Sequence, residues 1–524
     1  MSLFIELDGE GPRYAQLARG LKKAIQRGQL KAGSRLPATR TLAADLQLSR
    51  NTVLAAYETL CAERLALPMK GSGTYVAAEA PPAQLPPALP GFPAQTRYAA
   101  RLRSLPRLVL PVGHRRTRYD LRYGDSLIHP LLAGAWRRAI ARATAAEHWP
   151  YPLVAGLPAL RRGIADYLAR RRGVVCHADD IVVVGGAQQA VSLLARILLD
   201  EGDPVAIEDP GYPLAVHAFL AHGAKLVPIP VDGDGLRVDE LARHPIRAVY
   251  VTPSHQFPSG AVMSVERRRA LLEHAQSRGC WVLEDDYDGE FRHDASSIPA
   301  LRSLDETGRV VYIGTFSKAL FPGLRLGYVV CPPALRGDLL LAKRCDDLAC
   351  SVMEQATLAE LMADGAFDRH LRRVTGELRR RRGALLEGLR RHCGEHLRWQ
   401  DSRAGMHLVA WLDGWSPEAM QALVDLAQER DLGIHPIGPH YLAAPACSGL
   451  LLGYAGLSVK QLEVATRLLG ACLAEVSRMQ AAGSDALAAK REPPSLAVGA
   501  ATQRHDPRRP TPLTRRAPSR RRAT

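Results

Sequence analysis

Gly314-Thr315-Phe316-Ser317-Lys318, continuing Ala319-Leu320-Phe321-Pro322-Gly323-Leu324-Arg325, is the stretch on which the reading of the chain turns. It follows Val310-Val311-Tyr312-Ile313, an apolar run of the kind that forms a buried strand. A lysine amine is a nucleophile only without its proton, and a crowded, desolvated, cation-rich setting favours that loss. In such a setting Lys318 can form a Schiff base with an aldehyde, while Thr315, Ser317 and Arg325 supply donors for a phosphate. The plainer alternative is a surface lysine after a strand.

Upstream, Cys280-Trp281-Val282-Leu283-Glu284-Asp285-Asp286-Tyr287-Asp288 is an apolar strand that ends in acids and a tyrosine. In an open α/β sheet, ligands sit at the carboxyl ends of strands. A carboxylate there can pair with a protonated pyridine nitrogen and make the ring a better electron sink. Taken singly, acids at a strand end also serve as helix caps or solvated turns. Two further strand ends carry features of the same kind. Ile181-Val182-Val183-Val184 runs into Gly185-Gly186-Ala187-Gln188-Gln189, where free amides at a helix N-terminus suit a phosphate. That turn has neither the P-loop nor the dinucleotide glycine pattern. Pro204 to Asp209 leads to Pro210-Gly211-Tyr212, an aromatic placed to stack on a planar ring. Strands alternating with helices, several of them uniformly apolar, predict a mainly parallel sheet covered on both faces.

The lysine, the acid and the phosphate donors together resemble the fold-type I aminotransferases, whose cofactor is pyridoxal 5'-phosphate. The resemblance implies roles for particular residues. Lys318 is the Schiff-base lysine, Asp285 the pyridine partner, and Tyr287 the donor to the ring oxygen. Tyr212 stacks on the ring, and Ala187, Gln188, Thr315, Ser317 and Arg325 hold the phosphate. Tyr151 stands where aminotransferases use a tyrosine from the partner subunit, which implies a homodimer. This chain departs from the aminotransferase pattern twice. Phe257, in His255-Gln256-Phe257-Pro258-Ser259-Gly260, occupies the place of an asparagine that bonds the ring oxygen, so His255 or Gln256 takes over or the bond is absent. Leu451 occupies the place of the arginine that grips the substrate carboxylate, and an aliphatic side chain supplies no donor fork.

The N-terminal part has a different pattern. Tyr14 to Gln26 carries Leu17, Leu21, Ala24 and Ile25 at helical steps. A second helix is predicted from Arg40 to Leu46 and a third, capped by Ser49, from Asn51 to Arg64. A hairpin follows over Met69 to Val76 around Gly71-Ser72-Gly73. Three helices and a hairpin describe a winged helix-turn-helix. Small polar residues at the start of the third helix let it approach base edges, and wing glycines admit phosphates to backbone amides. Arg35-Leu36-Pro37-Ala38-Thr39-Arg40, Leu48-Ser49-Arg50-Asn51-Thr52-Val53 and Gly71-Ser72-Gly73-Thr74-Tyr75 resemble the GntR-type winged helix. The resemblance implies that Arg40, Ser49, Arg50 and Thr52 touch double-stranded DNA and that Lys70 and Gly71 form the wing contact. Family members often have glycine before the wing, where this chain has Arg64.

Composition fits this division. The 524 residues are 47% hydrophobic and 23% charged, ordinary for a globular protein. The net charge of +16 favours an anionic partner, nucleic acid first. Nine cysteines without a C-x-x-C pair or zinc-like cluster predict reduced, buried thiols, a cytoplasmic location and no metal. No signal peptide and no membrane span are predicted. The Pro-, Ala- and Arg-rich stretch at residues 78–118 reads as an extended linker, with Arg115-Arg116 as a further DNA contact or a solvated charge pair. Residues 480–524 read as a disordered basic tail. The winged helix covers residues 12–77 and the aminotransferase-like large and small domains residues 119–479.

Both halves together resemble the MocR subfamily of GntR regulators, which fuse these two modules. That resemblance implies a transcriptional regulator, not primarily an enzyme. It would carry pyridoxal 5'-phosphate and respond to it, or to an adduct with a small amine, in vitamin B6 or amino-compound metabolism. The alternatives are a working aminotransferase with a DNA-binding module, or a structural dimer with an empty site.

Overall fold

A computed structural model describes residues 5, 7–69, 71–77, 96–106, 117–145, 151–293, 299–401, 403–443 and 447–489, with side chains described as far as 481. The chain divides into two compact units, residues 1–95 and 96–524.

The first unit is the predicted winged helix. Helices Arg13–Gln26, Thr39–Asp45 and Arg50–Ala62 precede the antiparallel hairpin Ala66–Met69 and Gly73–Val76. Leu17, Leu21, Ile25, Leu42, Val53, Tyr57, Leu60 and Val76 share one apolar core. The hairpin begins at Ala66, three residues before the predicted start. The third helix stops at Ala62, and Arg64 turns the chain with a left-handed φ of 58°. There the Leu65 N–H donates to Leu60 O at 2.9 Å. A backbone of this kind is one that glycine adopts freely.

The second unit is built on an eight-stranded sheet. Its order is Ile181–Val184, Gly327–Val330, Val310–Thr315, Trp281–Asp286, Ala248–Val251, Pro204–Asp209, Lys225–Asp232 and Gly235–Leu236. The five strands from Val310–Thr315 to Lys225–Asp232 run parallel. Gly327–Val330 is antiparallel to both its neighbours, and Gly235–Leu236 is antiparallel to its one. Both faces are covered by apolar clusters, which is why the strands are so uniformly aliphatic. A four-stranded antiparallel sheet, Arg398–Trp399, His407–Leu412, Ser448–Gly453 and His435–Pro436, forms the smaller subdomain. Helices Ala366–Cys393 and Val459–Ala489 pack against each other and share an apolar cluster with strands His407–Leu412 and Ser448–Gly453.

Three expectations change. Within residues 78–118, Arg97–Ser104 is a helix capped by the Thr96 hydroxyl, not an extended linker. Its Arg101 donates to Ala221 O at 3.0 Å and pairs with Glu201. The predicted tail begins inside a helix that continues to Ala489. All nine cysteines are free, but Cys345 and Cys447 are exposed, not buried. Lys70, Arg115, Arg116 and the tail beyond 489 lie outside the described residues. Among the described residues no helix is long and apolar enough to cross a membrane.

Candidate functional site

Alternation along Trp281–Asp286 sets the floor of the site. Successive side chains on a strand point to opposite faces. Asp285 and Tyr287 line a cavity of about 420 Å³ at the carboxyl ends of the parallel strands. Glu284 and Asp286 face the other way. Glu284 accepts from the Leu301 and Arg302 amides at 2.7 Å each. Asp286 is held by Arg172 at 2.6 Å and by the Tyr312 hydroxyl at 2.5 Å, and Arg172 also donates to Ser254 Oγ at 2.6 Å.

Asp285 is fully within the protein. Its Oδ2 accepts from the Tyr250 hydroxyl at 2.6 Å, while its Oδ1 is buried without a partner. Burial pushes the carboxyl up to about 7, with the Tyr250 hydrogen bond opposing and the Asp286 and Asp288 charges adding. An orphaned carboxylate oxygen aimed into a cavity is a receptor for a cationic N–H. Lys318 Nζ reaches the same cavity and donates to Gly124 O. Burial pushes its amine below the usual lysine range, against the pull of Asp288 and Asp125.

At the other end of the cavity, Gly186 (φ 94°) caps helix Ala187–Leu198. That φ is one L side chains rarely adopt, and a Cβ at Gly186 would stand 2.9 Å from Arg325 Nη2 and push the guanidinium aside. Arg325 Nη2 donates to Gly185 O at 2.9 Å, and Thr315 Oγ1 lies 3.0 Å from Ser317 Oγ. Gln188 turns its amide nitrogen to Leu214 O and leaves its oxygen without a partner. Amides at a helix N-terminus, two hydroxyls and a guanidinium make a phosphate cradle. These residues fit pyridoxal 5'-phosphate: an imine-forming amine, a pyridine-nitrogen acceptor and a phosphate cradle face one cavity.

Most sequence-predicted residues therefore converge. Lys318, Asp285, Tyr287, Tyr212, Ala187, Gln188, Thr315, Ser317 and Arg325 all line the cavity. Tyr151 does not; it is 89% exposed on its own chain. His255 does not line it either and so does not stand in for the asparagine directly. Its Nδ1 lies 2.9 Å from both Asp288 Oδ2 and the Tyr287 hydroxyl, which places it behind Tyr287. Gln256 is turned away as well. Its amide nitrogen donates to Glu208, Pro210 O and Phe257 O, and its oxygen accepts from Ser259. His255, Asp288 and His407 offer three ligand-type atoms within 4.8 Å of one another. They are engaged internally, His407 Nε2 with Pro258 O at 3.0 Å and His255 with Asp288.

Leu451 is completely buried, paired with Val409 across the small sheet and clustered with Tyr123, Phe257 and Ile437. Sequence reasoning missed Tyr250, Glu208, Asp125 and Asp288. Tyr250 and Glu208 come from neighbouring strands, and no local spacing announces them. Asp288 was legible as the fourth acid of the run that closes the strand.

In the first unit, Ser49 Oγ accepts from the Thr52 amide at 3.1 Å and caps the third helix. Arg40 and Arg50 are exposed, and Gly71 has a φ of 77° with open space where a Cβ would be. Tyr57 donates to Pro37 O at 2.7 Å and ties the third helix to the turn before the second. Arg35, also missed, is exposed and lies against the wing, bridged to Tyr75 and so close to Gly73 that a Cβ there would meet its Nε at 2.8 Å.

Residues 13–76 match the family described as bacterial regulatory proteins, gntR family, and residues 123–468 match aminotransferase class I and II. A probable rhizopine catabolism regulatory protein, MocR, of Rhizobium meliloti is 36% identical over 465 residues, covering 87% of this chain and 93% of the relative. The chain belongs to the MocR-type GntR regulators. Another relative of this MocR-type chain is the HTH-type pyridoxine biosynthesis transcriptional regulator PdxR of Corynebacterium glutamicum, 29% identical over 84% of this chain and 91% of its own. Among solved structures, LysN, an α-aminoadipate aminotransferase of Thermus thermophilus complexed with N-(5'-phosphopyridoxyl)-L-leucine, is similar with a TM-score of 0.63. It is 28% identical, over 74% of this chain and 98% of its own.

Proposed function

We propose that this protein is a DNA-binding transcriptional regulator that holds pyridoxal 5'-phosphate as a Schiff base on Lys318 and responds to it or to its adduct with a small amine. The observation that carries this reading is the convergence of Lys318, the partnerless Asp285 Oδ1 and the Gly186–Arg325 cradle on one cavity. When bound, the cofactor supplies an aldehyde that captures amines and a ring that withdraws electrons. Asp285 accepts from the ring nitrogen, with Tyr250 fixing its other oxygen. Tyr287, backed by His255 and Asp288, donates to the ring oxygen. Arg325, Thr315, Ser317 and the Ala187 and Gln188 amides hold the phosphate, and Tyr212 covers the ring. Residues 12–77 bind operator DNA through Arg40, Ser49, Arg50, Thr52, Lys70 and Gly71. Residues 119–479 hold the cofactor. The protein acts in the cytoplasm as a homodimer in which Tyr151 completes the partner's cradle. Binding that favours one arrangement of the dimer changes affinity for the operator.

Operator binding by the wild type and Lys318→Ala, each with and without pyridoxal 5'-phosphate, tests this. The cofactor should shift wild-type binding and leave the variant unmoved; four indistinguishable isotherms would defeat the sensor reading. The complete lysine and acid set also favours a second reading, a working aminotransferase. Leu451 weighs against it, because this side chain, buried behind Tyr123 and Phe257, supplies no donor for an amino acid's carboxylate. Sustained multiple turnovers with an amino acid and a 2-oxo acid would reverse the order.

A further inference from the structure

We infer that the amine this site admits is a primary amine without a carboxylate, an inference that rests on the cofactor reading above. The side of the cavity formed by Tyr123, Phe257 and Met406 is mainly apolar, and behind Tyr123 and Phe257 the buried Leu451, Val409 and Ile437 complete one cluster. A carboxylate placed against it would lose its hydration and gain no donor. Charge in the cavity has the same sense. Its lining cations are Arg325, Lys318 and Arg122. Arg325 belongs to the cradle end, through Gly185. Lys318 is the imine-forming amine. Arg122 is held by Asp120 at 3.2 Å, and Asp120 is shared with His435 at 2.7 Å.

The lining acids besides Asp285 are Asp125 and Asp288. Both attract the Lys318 ammonium, so both attract an ammonium brought to the same point. No hydrogen-bond partner stands against the Asp125 carboxylate among the described residues, whereas Asp288 is engaged with His255. An incoming ammonium therefore meets the Asp125 carboxylate and the apolar Tyr123, Phe257 and Met406 side chains, the reverse of what an amino acid requires. The exchange is balanced without an oxidant. The incoming nitrogen bonds the aldehyde-derived carbon as the Lys318 nitrogen leaves it, and the two protons that the ammonium gives up go to the Lys318 nitrogen, which departs as an ammonium.

The test uses the full-length protein loaded with pyridoxal 5'-phosphate and compares amino acids with their decarboxylated counterparts: ornithine with putrescine, phenylalanine with phenethylamine. The readouts are the change in visible absorbance of the bound cofactor and the shift in operator affinity. Each amine should reach half-saturation at a concentration at least tenfold below its parent amino acid. Asp125→Asn should raise the amines' half-saturation several-fold and move the amino acids' little. Leu451→Arg should narrow or invert the preference. Equal or tighter binding of the amino acids, lost in Arg122→Gln, would overturn the inference and make Arg122 the carboxylate anchor. Borohydride reduction followed by peptide mass analysis separates the two failures. A cofactor mass on the Lys318 peptide with amino acids preferred sinks only this inference; no such mass sinks the cofactor reading as well.

Discussion

Asp285 shows how one residue's surroundings define a task. A carboxyl with one oxygen satisfied by Tyr250 and the other buried without a partner is under tension until a cation arrives. Its ordinary value is 3.8, and burial pushes it up to about 7. In the cofactor-free chain its folded form therefore keeps a proton that the unfolded form has lost. The stability tied to that proton is complete below about 4 and is lost as pH rises through about 7. Asparagine has no proton to lose. The Tm of Asp285→Asn relative to wild type should rise between pH 5 and pH 8 in the absence of cofactor, and pyridoxal 5'-phosphate should stabilise wild type far more than the variant at pH 8. Thermal denaturation at the two pH values checks both statements. The convergence of Lys318, Asp285 and Arg325 was legible because each lies in or after a strand that the hydrophobic pattern marks. Tyr250 was not, because its significance depends on strand neighbours 35 residues apart in sequence.

At the scale of elements, the period of two along Trp281–Asp286 explains why four acids in five residues are not redundant. One face serves the cavity and the other ties the sheet to Arg172 and to the Leu301 and Arg302 amides. The wing shows the opposite case, an element whose boundary composition obscures. Arg64 has a left-handed φ that costs an L-residue about 1–2 kcal/mol, against about 0.5–1 kcal/mol of added chain freedom for glycine. Arg64→Gly should therefore stabilise the head by about 0.5–1 kcal/mol. Amide exchange in helix Arg50–Ala62 of the full-length protein should slow about two- to five-fold. The helix Arg97–Ser104 was hidden by its Pro- and Arg-rich surroundings. Thr96, three residues before the amide that it caps, was the available signal.

At the scale of the whole molecule, the proposed dimer makes a prediction that neither unit makes alone. If Tyr151 completes the partner's cradle, Tyr151→Ala and Lys318→Ala chains each have defective sites as homodimers. Mixed dimers regain one intact site, with lysine from one chain and tyrosine from the other. Co-refolded mixtures should bind pyridoxal 5'-phosphate more tightly than either parent, as read by cofactor absorbance at limiting concentration. Additive behaviour would mean that each site is built from one chain. The composite arrangement was suggested by the place of Tyr151 in the sequence, and its exposure leaves that side chain available for it.

Gln256 carries a last consequence. Its amide joins Glu208, the Pro210 and Phe257 carbonyls and Ser259, so the end of strand Pro204–Asp209 and the loop that carries Gln256 are tied together by contacts that involve no ligand. A receptor whose base is fastened in advance has little ordering left to do on capture. Uptake of the vitamer should then follow a single exponential without lag, its heat-capacity change reporting little more than the apolar area covered.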